Sequence, residues 1–107
     1  MPSWLLKAPK RIRELATARK VVFTLKALRE LAALDIGLDE QDACDVLANL
    51  TAEDCAGRLK SARTGEWMYV FKPELSGTVL YVKVILRSSC VLISFHEDEG
   101  DNHEKGE

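Results

Sequence analysis

Histidine is scarce in this chain, and with it the usual means of holding a catalytic metal. Only His96 and His103 occur, and neither an HExxH run nor any other histidine pair at ligand spacing is present. That disfavours metal-assisted hydrolysis, leaving carboxylate-only magnesium sites open. Glycine-rich phosphate cradles are missing as well: no GxGxxG, no P-loop, and no GxSxG elbow for a serine nucleophile. The expectation is chemistry without a cofactor. Cys44, Cys55 and Cys90 are odd in number, far apart and free of any CxxC pair. A disulfide framework and a structural zinc site are therefore not expected, and the three read as small apolar fillers. No apolar run is long enough to span a bilayer, and the first residues lack a signal peptide's apolar core and cleavage site. A cytoplasmic protein with no membrane contact is expected.

What is present is a single small domain with sorted charge. A chain of 107 residues buries only about two-thirds of the surface it exposes when unfolded, so a shallow surface site is expected rather than a deep cavity. Residues 1–29 hold eight Lys or Arg against Glu14 alone, and residues 30–54 hold eight acids and no base. Residues 55–96 return to six bases against Glu66 and Glu74. The segment 97–107 then adds six acids and Lys105, and reads as a hydrophilic, disordered tail. Without it, residues 1–96 carry fourteen bases against eleven acids. Two basic zones on a small domain are compatible with phosphate binding.

The first half of the domain has helical periodicity. Ile12, Leu15 and Ala16 form a stripe between Pro9 and Arg19, with Pro9 suited to a first turn. After a β-branched break at Val21-Val22-Phe23, Thr24 is placed to cap a second helix whose Leu25, Leu28, Leu31 and Ala32 face inward. Gly37 stops it. Asp39 caps a third helix to about Asn49, burying Ala43, Val46, Leu47 and Leu50, and Thr51-Ala-Glu-Asp54 resembles a capping box.

After Gly57 the period becomes two. Trp67–Phe71, Val79–Leu86 and Cys90–Phe95 read as strands, with a shorter one near Arg58–Ala62. Short connections favour antiparallel pairing, so the domain is α+β, with helices on one face of a twisted antiparallel sheet. Trp67, Tyr69 and Phe71 alternate onto one side and read as core. A hairpin over Arg87-Ser88-Ser89 lets Tyr81 and Lys83 share a face with Ser94 and His96. In strict alternation, Cys90 and Leu92 lie on that face too, and Val91, Ile93 and Phe95 lie on the other.

That polar set suits a phosphodiester. Cutting RNA through its own 2′-hydroxyl needs a proton acceptor, a proton donor and cations beside the phosphorane. An imidazole, which ordinarily titrates at about 6.5, can serve as acid or base, which makes His96 the candidate. Tyr81 can donate to a phosphate oxygen, and Arg58, Lys60 and Arg63 can clamp it. Each of these has an ordinary alternative as a solvent-facing surface residue.

The order of segments resembles the MqsR family of type II toxin–antitoxin toxins. The resemblance runs through Gly37-Leu38-Asp39, Leu50-Thr51-Ala-Glu-Asp54, Trp67-Met-Tyr-Val-Phe-Lys-Pro73, Gly77, Leu80-Tyr81-Val82-Lys83 and Val91-Leu-Ile-Ser-Phe95. It covers about residues 20–97. It implies one RelE-like toxin domain over residues 1–96 and sequence-selective cleavage of mRNA, in the family often at GCU-like sites. It also implies inhibition by a cognate antitoxin, a helix-turn-helix protein through which any contact with DNA would be indirect. Tyr81 matches the family's active-site tyrosine. The family's lysine after the capping box falls at Gly57, with Arg58 and Lys60 close by; its glutamine after the tryptophan is Met68, and its lysine after the final Ser-Phe is His96.

These readings converge on an mRNA endonuclease that leaves a 2′,3′-cyclic phosphate and a 5′-hydroxyl. Its catalytic set is Tyr81, His96, Lys60 and Arg58, and its RNA contacts are Lys83, Lys72 and Arg63. The rival from another class is a toxin on the same fold that binds a protein target or the antitoxin only, which Met68 and Gly57 favour. A DNA-binding regulator is a third reading, suggested by the basic first helix and opposed by the lack of a basic second helix in a helix-turn-helix.

Overall fold

The computed structural model describes residues 1–100. Most of the tail expected to be disordered, including His103, lies outside the described residues. Glu97 is the last residue of a strand, and the Asp98 amide donates to the Val79 carbonyl at 2.8 Å, so order extends past 96.

The chain begins with α1 (Ser3–Thr17), which starts a turn and a half before the position expected from Pro9. Proline inside a helix removes one amide donor and crowds the preceding turn. Here Pro9 is fully buried beside Ala8, Ile12, Leu15 and Ala16, so the apolar stripe offsets that cost. Val21–Phe23 is more than a break: it is β1, a parallel partner of the last strand with Val22 opposite Val91. A three-residue strand is too short to show any period in sequence.

Thr24 caps α2 (Leu25–Ala32), accepting from the Ala27 amide and donating its hydroxyl to the Leu92 carbonyl at 3.0 Å. The inward face is not the one expected. Ala27 and Leu31 are buried, whereas Leu25 is 61% exposed and Ala32 is exposed too. The helix is rolled because its Lys26 and Glu30 are needed against the sheet. The Lys26 ammonium donates to Glu30 and to the Ser94 hydroxyl, both at 2.7 Å, and Glu30 accepts from the Phe95 amide at 2.9 Å. This polar clasp covers the edge of the last strand beyond the end of β1, an edge that would otherwise template aggregation.

Asp39 and Asp42 form a reciprocal capping box on α3 (Glu40–Ala48), which buries Ala43 and Leu47 and leaves Val46 partly exposed. The Asp54 carboxylate closes the next 3-10 turn (Ala52–Asp54), accepting from the Thr51 amide at 3.0 Å.

Five further strands complete the sheet: β2 (Cys55–Lys60), β3 (Trp67–Phe71), β4 (Glu74–Leu75), β5 (Thr78–Leu86) and β6 (Cys90–Glu97). The order is β1-β6-β5-β3-β2, with β4 folded back on β5 across Ser76-Gly77, both at positive φ. All pairs are antiparallel except β1 with β6. The result is the expected α+β arrangement, helices against a twisted sheet, with one parallel edge added. The helices bury one sheet face, where Phe71, Leu80, Val82, Val84, Leu92 and Phe95 are all fully enclosed with Ile12, Leu31 and Leu47. No helix among the described residues is long and apolar enough to cross a membrane.

Candidate functional site

Two irregularities in the sheet decide what meets what. In β6, Lys83 pairs with Ser94 but Val84 pairs with Leu92, so Ile93 is an extra residue. Such a bulge reverses the alternation. Cys90 and Leu92 therefore join Phe95 in the core, and Val91 turns to the other side, opposite Ile85, contrary to strict alternation. Beyond the bulge, His96 pairs with Tyr81, as expected. Their rings stack 4.9 Å apart at 11° on the sheet face away from the helices.

The histidine's hydrogen bond selects its tautomer. His96 Nδ1 lies 2.8 Å from the carbonyl oxygen of Glu97. A carbonyl can only accept, so Nδ1 carries the hydrogen and the neutral ring keeps its lone pair on Nε2. The imidazole is thus set to take or return a proton through one nitrogen.

Beside this pair lies a groove of about 350 Å³ bordered by Gly57, Arg58, Val70, Lys72, Tyr81 and Asp98, among others. Lys72 is held there by Asp98 at 3.3 Å. Lys83, opposite Val70 and Ser94, is two residues along β5 from Tyr81 on the same face. Ser94, also placed on this polar face by its pairing, is 1% exposed and engaged by Lys26. It serves the fold.

A second bulge redirects Arg58 and Lys60. Cys55 pairs with Phe71, but Gly57 pairs with Val70, so Ala56 is the extra residue. Gly57 consequently turns to the Tyr81 side, and Arg58 and Lys60, opposite Tyr69 and Trp67, turn to the helix side. Arg58 borders the groove, yet its guanidinium lies over the indoles of Trp67, at 3.8 Å, and Trp4, at 4.6 Å. The Lys60 ammonium is 4.8 Å from the Trp67 ring centre. The sheet therefore separates these two cations from Tyr81 and His96, and Lys72 is the side-chain cation bordering the groove. Arg63 sits in the β2–β3 connection, exposed, its amide donating to the Ser61 hydroxyl at 3.2 Å. Trp67 is 37% exposed, at the margin of the core rather than within it.

The bulge depends on glycine. Gly57 has φ +130°, a region that side chains rarely adopt, although an added Cβ would meet nothing within 4 Å. Gly57→Ala is expected to lower stability by about 1–3 kcal/mol through backbone strain alone. A denaturant midpoint unchanged from the parent would show that the strand relaxes without cost.

A larger hollow, about 600 Å³, lies between α3 and the β4 turn, but Asp42, Asp45, Asp54 and Glu74 line it. Four carboxylates repel a phosphodiester, so the smaller groove is the better candidate for nucleic acid. The cysteines play no part in either reading of the groove. Cys90 is buried in the core, and burial pushes its thiol up to about 12.

Among curated proteins none matches the chain. The family model described as "Motility quorum-sensing regulator, toxin of MqsA" matches residues 6–97. That span includes the Tyr81–His96 pair and every strand of the sheet. The chain belongs to the MqsR family, and is a toxin of a toxin–antitoxin system whose partner is an antitoxin of the MqsA kind.

Proposed function

We propose that this toxin is a RelE-like, metal-independent and sequence-selective mRNA endoribonuclease, acting in the cytoplasm and neutralised by its antitoxin. The observation that carries the reading is the Tyr81–His96 stack beside a groove with a cation at its border. In this scheme the neutral His96 Nε2 takes the 2′-hydroxyl proton, and the 2′-oxygen attacks phosphorus. The bond from phosphorus to the 5′-oxygen breaks, and that oxygen receives a proton from the Tyr81 hydroxyl or from water. A 2′,3′-cyclic phosphate and a 5′-hydroxyl result. Lys72 and Lys83 stabilise the charge that builds on the phosphorane, where fixed cations act most strongly. Arg63 is an outlying RNA contact. The antitoxin, as a helix-turn-helix protein, would supply any contact with DNA.

Tyr81→Phe isolates the hydroxyl, because the stacked ring remains. It is expected to slow cleavage at least tenfold, about what one positioned donor supplies, with an unchanged thermal midpoint. The parent reaction is read on a defined mRNA in EDTA with both new ends mapped, and DNA of the same sequence should stay intact for want of a 2′-hydroxyl. Intact RNA together with growth arrest on expression would favour a toxin that acts by binding a protein. Equal rates for Tyr81→Phe and parent would remove the phenol from the mechanism.

A further inference from the structure

We propose that the helix-side face of the β2–β3 edge is a second contact surface for single-stranded RNA, gripping nucleotides that flank the cut. This surface comprises Trp4, Arg58, Lys60 and Trp67. The proposal takes its ligand from the nuclease reading, but it stands on different residues and on the opposite side of the sheet.

The cations there are unusual in how they are held. Four ion pairs occur among the described residues: Arg11 with Glu14, Lys26 with Glu30, Lys72 with Asp98, and Arg87 with Glu66. Arg58 and Lys60 take part in none of them. Neutral indoles hold them instead, Arg58 over both Trp4 and Trp67, and Lys60 over Trp67. A carboxylate would cancel their charge; an indole fixes the position and leaves the charge in place. A guanidinium resting on a ring also keeps its N–H edge in plane, able to fork onto a phosphate. Trp4 is further braced by Tyr69, with ring centres 5.9 Å apart, so the cluster is built on two elements and is not one loose side chain.

Placement makes the surface continuous with the groove. β2 ends the sheet, and Arg58 borders the groove that Tyr81 lines. An RNA strand leaving the groove can pass over this edge to reach Trp67 with only one strand to cross. Lys60 is exposed on a flexible stem and can turn from the ring to a phosphate, freeing indole surface for a base. Interleaved cations and aromatics of this kind favour unpaired strands, because stacking on a side chain needs a base already out of the duplex.

The chain's two tryptophans are both in this cluster. Indole emission therefore reports on it alone. Titration with a 2′-O-methyl RNA 12-mer, which lacks the attacking hydroxyl, is expected to quench that emission saturably and with strong dependence on salt. Lys60→Glu, an exposed change with little risk to the fold, should weaken binding by about fivefold or more. Trp67→Ala should weaken it by about tenfold, within the range reported for one stacked base. Cleavage of a five-nucleotide substrate spanning a mapped cut should be unaffected by Lys60→Glu, while KM for a long RNA rises.

Failure has distinct signatures. Unchanged emission with unchanged affinity in both variants overturns the second surface, even if RNA is cut normally. Equal quenching by duplex RNA also overturns it, since no unpaired base would be engaged. Quenching and weakened variants in a protein that never cleaves RNA leave the surface standing and remove the nuclease reading.

Discussion

His96→Gln is expected to reduce the single-turnover rate of RNA cleavage by about 10²–10⁴-fold, the range for a positioned proton-transfer group. Glutamine occupies similar space and donates hydrogen bonds, but it cannot accept and release a proton at neutral pH. The fold should tolerate the change. The imidazole's recorded hydrogen bond reaches only the carbonyl of the next residue, so no cross-strand link is lost. His96→Lys supplies the contrast. The resemblance noted in the sequence places lysine here, and an ammonium can act as acid or as charge stabiliser where an amide cannot. It should retain more activity than His96→Gln, with the pH–rate profile displaced to higher pH because lysine titrates above histidine. Cleavage by His96→Gln at the parent's rate would leave the ring pair as mere packing.

Much of this arrangement could be read from the chain, and the missed parts share one cause. Helix existence, the Thr24 and Asp39 caps and the three long strands follow from period and end signals that are local in sequence. The pairing of Tyr81 with His96 followed from hairpin length, which was also local. What could not be read were the bulges. Each inserts one residue, Ile93 or Ala56, and everything beyond it changes sides. Neither residue has a distinctive side chain, because a bulge is defined by its partner strand. Gly57, in an otherwise β-like run, was the only local sign of the second bulge, and its positive φ is the physical trace. Without that sign, Arg58 and Lys60 seemed to face the phenol. The roll of α2 was hidden for a similar reason. Lys26 and Glu30 look like an exposed i, i+4 pair, and only the uncovered edge of β6 explains why they turn inward.

Phe95→Ala, one residue from the proposed acid–base group, should have the opposite effect on the molecule. Phe95 is fully buried, paired with Val82 in a sheet centre that the helices cover. Truncating such a ring costs about 3–5 kcal/mol, through lost transfer energy and the cavity left behind. A small domain has only about 5–15 kcal/mol in total. The thermal midpoint should therefore fall by on the order of 20 °C. Activity per folded molecule should remain near the parent's at low temperature, because His96 and Tyr81 project from the other face. Toxicity at growth temperature should drop in step with the folded fraction. The antitoxin partner adds a further check, since a ligand that binds only the folded state, at a hundred times its Kd, restores about 2.7 kcal/mol. The midpoint of Phe95→Ala should thus climb with antitoxin concentration, whereas His96→Gln should start from the parent's midpoint and rise from there. A loss of cleavage in Phe95→Ala that persists in fully folded protein would mean that the two sheet faces are not independent, and the separation of scaffold from chemistry by strand alternation would fail.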